Sequence, residues 1–258
     1  MADDSVGERL QAGLVAAFTR VFAALDDARV ESRSGYTFLI CPDLPLPQFN
    51  GVWAQRDGGA AVAELGAALS EVEGLGLPFW LQTRVGRHPL VEQEAARLGL
   101  GLTGQVSGMV AASADLMPSP PGGVGIEIER VADGERLGQA LAVAEAGFET
   151  PAGTLAPLYT ERLAATPGMV VYLGSLDGEP VSTALGCRCN DTVGIFNVAT
   201  LPDHRGRGCG TALSARATGD GFARGARLAL LQSSAEGASV YRRVGFDSIE
   251  TYNLFTRG

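Results

Sequence analysis

Apolar residues recur at Leu10, Leu14, Phe18, Val21 and Leu25 with polar residues between them, the three-to-four-residue spacing of a helix that buries one face. Ser5, with Glu8 three residues on, forms a capping box ahead of them, so the pattern predicts an amphipathic helix over 6–29. Short apolar runs predict strands at Tyr36–Ile40, Val52–Ala54, Phe79–Thr83 and Leu102–Ala111. Between them stand an alanine-rich helix over 59–72 and a helix over Pro89–Leu98 with proline in its first turn. The prolines of the segment CPDLPLPQFN exclude both helix and ladder there. Met117-Pro118-Ser119-Pro120-Pro121-Gly122-Gly123 is the best linker composition in the chain.

The pattern then restarts, with a strand at Ile126–Arg130 and helices within 133–147 and 154–165. Strands at Val170–Ser175 and Val181–Cys189 are joined through Asp177-Gly178, a strong hairpin signal. Asn190-Asp191 turns the chain into the run Val193–Leu201. A helix follows from about Gly208 to Arg224, with Gly225 suited to a C-terminal cap, then a strand at Leu228–Gln232, a helix over 236–244 and a last strand at Ile249–Thr256. A short internal repeat links the halves. Leu81-Gln82-Thr83, a helix ending Arg97-Leu98-Gly99-Leu100 and a strand parallel Leu231-Gln232-Ser233, Arg243-Val244-Gly245-Phe246 and a strand. Aligning Gly99 with Gly245 puts Ala95 where Tyr241 stands.

At 258 residues, 46% hydrophobic and 19% charged, the chain suits one large or two small globular domains. The net charge of −9 argues against a general nucleic-acid binder. No apolar run approaches the roughly 18 residues of a membrane span, and the acidic N-terminus lacks the layout of a signal peptide. Four cysteines do not resemble a secreted disulfide framework. A cytoplasmic protein without nucleic-acid or membrane partners is expected, with a homodimer left open.

The chemistry concentrates after Val193–Leu201. Pro202-Asp203-His204 leads into Arg205-Gly206-Arg207-Gly208-Cys209-Gly210, and a helix-compatible segment starts near Thr211. Strand, glycine-rich turn and helix N-terminus together favour a bound phosphate, because backbone N–H groups turn inward and the helix dipole attracts an anion. The spacing is neither a Walker loop nor the Rossmann fingerprint. It is Arg-x-x-Gly-x-Gly, followed some thirty residues later by Tyr241-Arg242-Arg243-Val244-Gly245-Phe246. In these two motifs the chain resembles the GNAT superfamily of N-acetyltransferases, over about residues 125–258.

The resemblance implies an α/β fold, a mixed central sheet flanked by helices, with the first half a degenerate GNAT-like unit. The expected division is 1–117, a linker at 118–124 and an acetyltransferase domain at 125–258. It also implies acetyl-CoA as acyl donor and a small-molecule or peptide amine as acceptor, joined by direct attack in a ternary complex. The alternative is a non-catalytic acyl-CoA-binding sensor. By resemblance, the backbone of Asn197, Val198, Ala199 and Thr200 holds the pantetheine arm, with the Val198 N–H as oxyanion donor. The turn Arg205, Gly206, Arg207, Gly208, Cys209, Gly210, Thr211 cradles the pyrophosphate. Tyr241 is the general acid. Ser234 stands in for an asparagine that many members use.

For the general base, Glu145 and Glu149 are candidates, as is a water held by Asn197; Glu145 is expected on a solvated helix face. Cys187, Cys189 and Cys209 read as buried thiols rather than metal ligands. His88 reads as a capping or surface group, Trp53, Trp80 and Phe79 as core, and Phe148 and Tyr159 as candidates to line an acceptor pocket.

Overall fold

Leu10, Leu14, Ala17 and Val21 form the buried side of the first helix, α1 (Asp4–Phe22), in a computed structural model that describes residues 4–116 and 125–257. Each such leucine contributes about 1.5–3 kcal/mol of burial. The helix stops at Phe22 rather than near residue 29. Asp27 takes up a left-handed backbone (φ 50°) and turns the chain into β1 (Arg29–Arg33), a strand that its charged composition hid. The first half continues through β2 (Tyr36–Ile40), β3 (Gly51–Ala54), α2 (Gly59–Glu73), β4 (Trp80–Arg84), α3 (Pro89–Arg97) and β5 (Leu100–Ala112). The segment 118–124, expected as a linker, lies outside the described residues.

The second half runs β6 (Glu127–Val131), α4 (Gly134–Phe148), α5 (Glu161–Ala165), β7 (Met169–Leu176), β8 (Glu179–Cys189) and β9 (Thr192–Thr200). It ends with α6 (Cys209–Ala223), β10 (Leu228–Ser233), α7 (Ala238–Arg242) and β11 (Asp247–Arg257). Asp133 caps α4 by accepting the Arg136 N–H, and Thr160 caps α5 by accepting that of Leu163. The expected helix over 154–165 narrows to a 3-10 turn at Ala156–Leu158 and the short α5; that over 236–244 narrows to α7. Asp177 and Gly178 both have positive φ, as a two-residue hairpin demands.

Among the described residues eleven strands form one sheet, in the order β1-β2-β3-β4-β11-β5-β10-β9-β8-β7-β6. Every neighbouring pair is antiparallel except β3 with β4 and β9 with β10. These two parallel pairs flank the central β11 and β5, which have changed places: β11, from the second half, pairs with β4, and β5, from the first, pairs with β10. The repeat thus appears in space as β4-α3-β5 and β10-α7-β11. Gly99 and Gly245 both take positive φ where helix meets strand. At Gly245 a Cβ would stand 2.1 Å from the Asp115 carbonyl oxygen, so the strand exchange brings backbone against backbone where only glycine fits.

Alternation along the strands assigns the helices to faces. Leu39, Trp53, Val110, Leu228 and Leu230 belong to the core under α1 and α4. Their neighbours Phe38, Val52, Met109, Ala111, Ala229 and Leu231 turn to the opposite face, under α2 and α3 or under α6 and α7. Buried Arg84 on β4 makes a two-pronged contact with Glu250 on β11 and a third with Glu8 on α1 at 2.8 Å. His88 is neither surface group nor side-chain cap: it is 2% exposed and its Nδ1 accepts the Arg84 backbone N–H at 2.9 Å. Burial, reinforced by the neighbouring Arg84 charge, holds its pKa below the ordinary value. Among the described residues no helix is long and apolar enough to cross a membrane.

Candidate active site

The parallel strands β9 and β10 are in register only at Thr192–Gly194 with Leu228–Leu230. Beyond Gly194 β9 runs on for six residues without a β10 partner, so the sheet opens. On its other side β9 slips against β8: Phe196 pairs with Leu185 and Ala199 with Thr183, leaving Asn197 and Val198 against one β8 residue. Asn197 takes φ 49°, a left-handed conformation inside a strand. A bulge of this kind re-aims backbone groups out of the ladder. The side-chain nitrogen of Asn197 is buried and has no hydrogen-bond partner. Ser182 fastens the strand beyond the bulge, donating to the Ala199 carbonyl at 2.7 Å and lying 2.9 Å from the Thr200 hydroxyl.

The glycine turn follows. Gly206 (φ 74°) and Gly208 (φ 88°) are left-handed, and Gly208 begins α6 with no side chain capping its first N–H groups. Those donors therefore remain available to an anion. A Cβ at Gly210 would stand 3.6 Å from the side chains of Val198 and Thr200, so α6 starts against the open stretch of β9. Thr211 and Cys209 are buried in the helix's packing face, and burial raises the Cys209 thiol pKa.

The two arginines of the turn differ. Arg205 reaches away from α6: its guanidinium donates to the Gly147 carbonyl at 2.7 Å and to that of Thr200 at 3.4 Å, with the Glu149 carboxylate 3.6 Å off. It ties β9 to the end of α4. Arg207 stays at the surface, 3.2 Å from His204 Nδ1. Ser234 is exposed and accepts the Gly237 N–H at 3.2 Å, which makes it a cap on the turn into α7.

Tyr241, on α7, is half-buried, edge-on to Phe246, and burial pushes its phenol pKa up to about 12. It lines a cavity of about 240 Å³ together with Asn197. That cavity passes from the gap between β9 and β10 to the α1 face, where Phe18, Phe49, Trp80, Gln82 and Val106 close it. Trp80, expected in the core, is therefore a cavity wall, while Trp53 is core and stands edge-on to Phe18 at 5.1 Å.

Neither glutamate lines the cavity. Glu145 is not solvated: it is 7% exposed, and its Oε1 accepts the Leu155 N–H at 2.9 Å. Glu149 ends α4 in a left-handed conformation with its side chain 72% exposed. Phe148 also faces solvent. Tyr159 is buried beside Thr183 and Asn197, and burial raises its pKa.

Gln82 and Gln232 were visible in the sequence as the shared Leu-Gln of the repeat, without a role. Here the Gln232 amide donates to that of Gln82 at 3.1 Å across the cavity. All four cysteines are buried; Cys187 and Cys189 lie side by side under α1, Sγ to Sγ 3.7 Å. Among the described residues no group of three or more His, Cys, Asp or Glu is arranged to hold a metal ion.

The mixed sheet flanked by helices matches the fold of solved GNAT proteins, tandem ones included. Residues 167–248 match the acetyltransferase (GNAT) domain. Among solved structures, the chain is similar to a GCN5-related N-acetyltransferase from Kribbella flavida, at 22% identity over 95% of this chain and 94% of that one, with a TM-score of 0.71. A GCN5-related N-acetyltransferase from Sphaerobacter thermophilus shares 18% identity over 88% and 75%, with a TM-score of 0.61. A tandem GNAT protein from the clavulanic acid biosynthesis pathway shares 14% over 98% and 95%, with a TM-score of 0.58. These identities speak to fold. No curated protein matches the chain in sequence.

Proposed function

We propose that the protein is an acetyl-CoA-dependent N-acetyltransferase that joins an acetyl group to a primary amine by direct attack. The observation that carries this reading is the meeting of Asn197, at the bulge, and Tyr241 on one cavity that opens into the strand gap. The fit to the donor is supported by the uncapped start of α6 and the left-handed Gly206 and Gly208, which suit a pyrophosphate. The open edge at Asn197–Thr200 suits an amide-bearing arm lying alongside β9. Arg207 remains exposed beside the turn, whereas Arg205 acts by fixing it to α4.

In the proposed reaction the ammonium first loses a proton to solvent, by way of a water that Asn197 would hold. The amine nitrogen then bonds to the acyl carbon. The backbone N–H at Val198 stabilises the oxyanion. The carbon–sulfur bond breaks, Tyr241 gives its proton to the thiolate, and the second proton lost by the nitrogen restores the phenol. With the phenol at about 12 and the thiol near 8.5, that transfer is uphill by roughly 5 kcal/mol. A barrier of about 16 kcal/mol, typical of ten turnovers per second, accommodates it. Glu149, paired with Arg205 at the surface, has no part in this scheme.

In this reading residues 1–117 form a unit without a donor site of its own, which serves as scaffold and cavity wall. Support comes from the crossing between β3 and α2, where the second half has its glycine turn. There Asp57 carries a carboxylate that accepts the Leu90 and Val91 N–H groups at 3.3 and 3.0 Å, and an anion would be repelled.

The test is thermal stability with and without acetyl-CoA, on wild type and Gly208→Glu, followed by coenzyme A release with amines on wild type and Tyr241→Phe. Binding only to the folded state raises stability by about 2.7 kcal/mol at one hundred times Kd. A wild-type shift absent from Gly208→Glu, with amine-dependent release, supports the reading. A shift without release on any amine favours the sensor, and no shift removes the donor site altogether.

A further inference from the structure

The cavity behind the strand gap is unlike the rest of the surface. Among the described residues none that line it is charged. Its wall is aromatic and aliphatic, from Phe18 on α1, Phe49 before β3, Trp80 on β4, Val106 on β5 and Phe196 on β9. Four side-chain amides, of Gln48, Gln82, Asn197 and Gln232, interrupt this lining. Gln82 is 3% exposed; its carbonyl is taken by Gln232, but its side-chain nitrogen has no partner. The side-chain amide of Asn197 lies beside the buried Tyr159 hydroxyl, so Gln82 is the donor left for a ligand. A buried N–H without an acceptor is unfavourable, and native structures leave few of them unexplained. The Gln82 donor faces a largely apolar cavity, so a single neutral oxygen on a ligand would satisfy it while the ligand's body replaces water on the aromatic wall. A carboxylate or a second ammonium on the same ligand would be buried with no counter-charge.

We infer that this cavity receives the acceptor, a small primary amine on an uncharged, largely apolar body that offers a neutral hydrogen-bond acceptor to Gln82. The inference rests on the acetyltransferase reading and narrows it. The first half of the chain then sets substrate choice, because Phe49, Trp80, Gln82 and Val106 all come from it, while the second half performs the transfer. Its volume of about 240 Å³ is at the small end of ligand cavities, which excludes oligosaccharide-sized amines.

The experiment uses the full-length chain and four probes: 4-methoxyphenethylamine, phenethylamine, phenylalanine and spermidine. Acetyl-CoA binding is followed first by thermal shift, which judges the acetyltransferase reading alone. Binding of the four amines without acetyl-CoA, by calorimetry, judges the cavity alone. Coenzyme A release with product mass then gives kcat/KM. The expected result is at least thirtyfold preference for the two phenethylamines over phenylalanine and spermidine, in binding and in kcat/KM. Gln82→Leu should raise KM about tenfold more for the methoxy compound than for phenethylamine, while the acetyl-CoA shift, which reads the donor site, stays as in wild type. Should Gln82→Leu not fold, Phe49→Ala replaces it, with a gain for a naphthyl amine over phenethylamine as the expected result.

Preference for phenylalanine or spermidine, or equal loss of both phenethylamines in Gln82→Leu, would overturn the inference. So would faster transfer from hexanoyl-CoA than from acetyl-CoA to methylamine, since the cavity would then hold the acyl chain. Failure of acetyl-CoA to bind while the phenethylamines bind as expected would sink the acetyltransferase reading and leave the cavity's ligand class standing.

Discussion

Gln82 and Gln232 occupy matching places in the two repeats, and their side chains meet at 3.1 Å although β11 and β5 lie between their strands. The hydrogen bond spans the centre of the sheet and joins the halves above the exchanged strands. Replacing Gln232 by leucine strips the Gln82 carbonyl of its donor in a buried site. The expected loss is about 1–3 kcal/mol. The double variant Gln82→Leu/Gln232→Leu should lose less than the two single losses added, because no unpaired amide is left. Urea denaturation of the four proteins checks this; strict additivity would mean that the pair contributes nothing as a pair.

A second prediction concerns the backbone contact that strand exchange creates. Gly245→Ala would put a methyl group 2.1 Å from the Asp115 carbonyl oxygen at φ 110°. A loss of more than about 3 kcal/mol, or failure to fold, is expected. Gly225 is the control: φ is 94°, but nothing lies within 4 Å of a Cβ there. Gly225→Ala should cost only about 1–2 kcal/mol, the strain of the left-handed backbone itself. Equal effects in chemical denaturation would show that the close approach at Gly245 is relieved by movement.

How far these relationships could be read in the sequence depends on how local they are. The repeat was legible through Leu81-Gln82 and Leu231-Gln232 and the paired Gly99 and Gly245, because these residues meet local demands of turn and strand. The glycine turn was legible for the same reason. β1 was not, since Arg29, Glu31 and Arg33 at an open sheet edge carry no apolar alternation. Nor was the order of strands: nothing near β11 states that it will pair with β4. Glu145 looked like a surface glutamate, and only the return of Leu155 onto α4 buries it. Trp80 and Gln82 became cavity residues through the same non-local pairing.

Arg84 supports a third prediction. Its guanidinium is 5% exposed and Glu250 is 9% exposed, whereas Glu8 is 62% exposed. Arg84→Met leaves the Glu250 carboxylate buried with only the more distant Arg87 at 3.7 Å, and about 3–5 kcal/mol should be lost. Glu8→Gln removes only the solvent-exposed arm, at a cost below about 1 kcal/mol. Neither change touches the glycine turn, so the acetyl-CoA shift of each folded variant should equal that of wild type. Thermal melts with and without ligand measure both quantities together.

The pH dependence of turnover follows from Tyr241. Its protonated form is the proton donor, and burial raises its pKa from 10 to about 12. A raised pKa keeps the donor form populated to higher pH, so the loss of activity on the alkaline side moves up through 12 rather than through 10. Below that limit the rate is governed by deprotonation of the amine, which increases with pH. With saturating acetyl-CoA, kcat should therefore rise and then level between pH 7 and 10.5, without a falling limb. Tyr241→Phe should lower kcat by about 100-fold or more across that range while leaving the shape of its rise unchanged. A wild-type fall centred near pH 8 to 9 that disappears in Tyr241→Phe would mean that the phenol titrates in the complex far below its free-protein value. A profile and rate unaffected by the substitution would remove Tyr241 from the mechanism and assign the thiolate's proton to solvent.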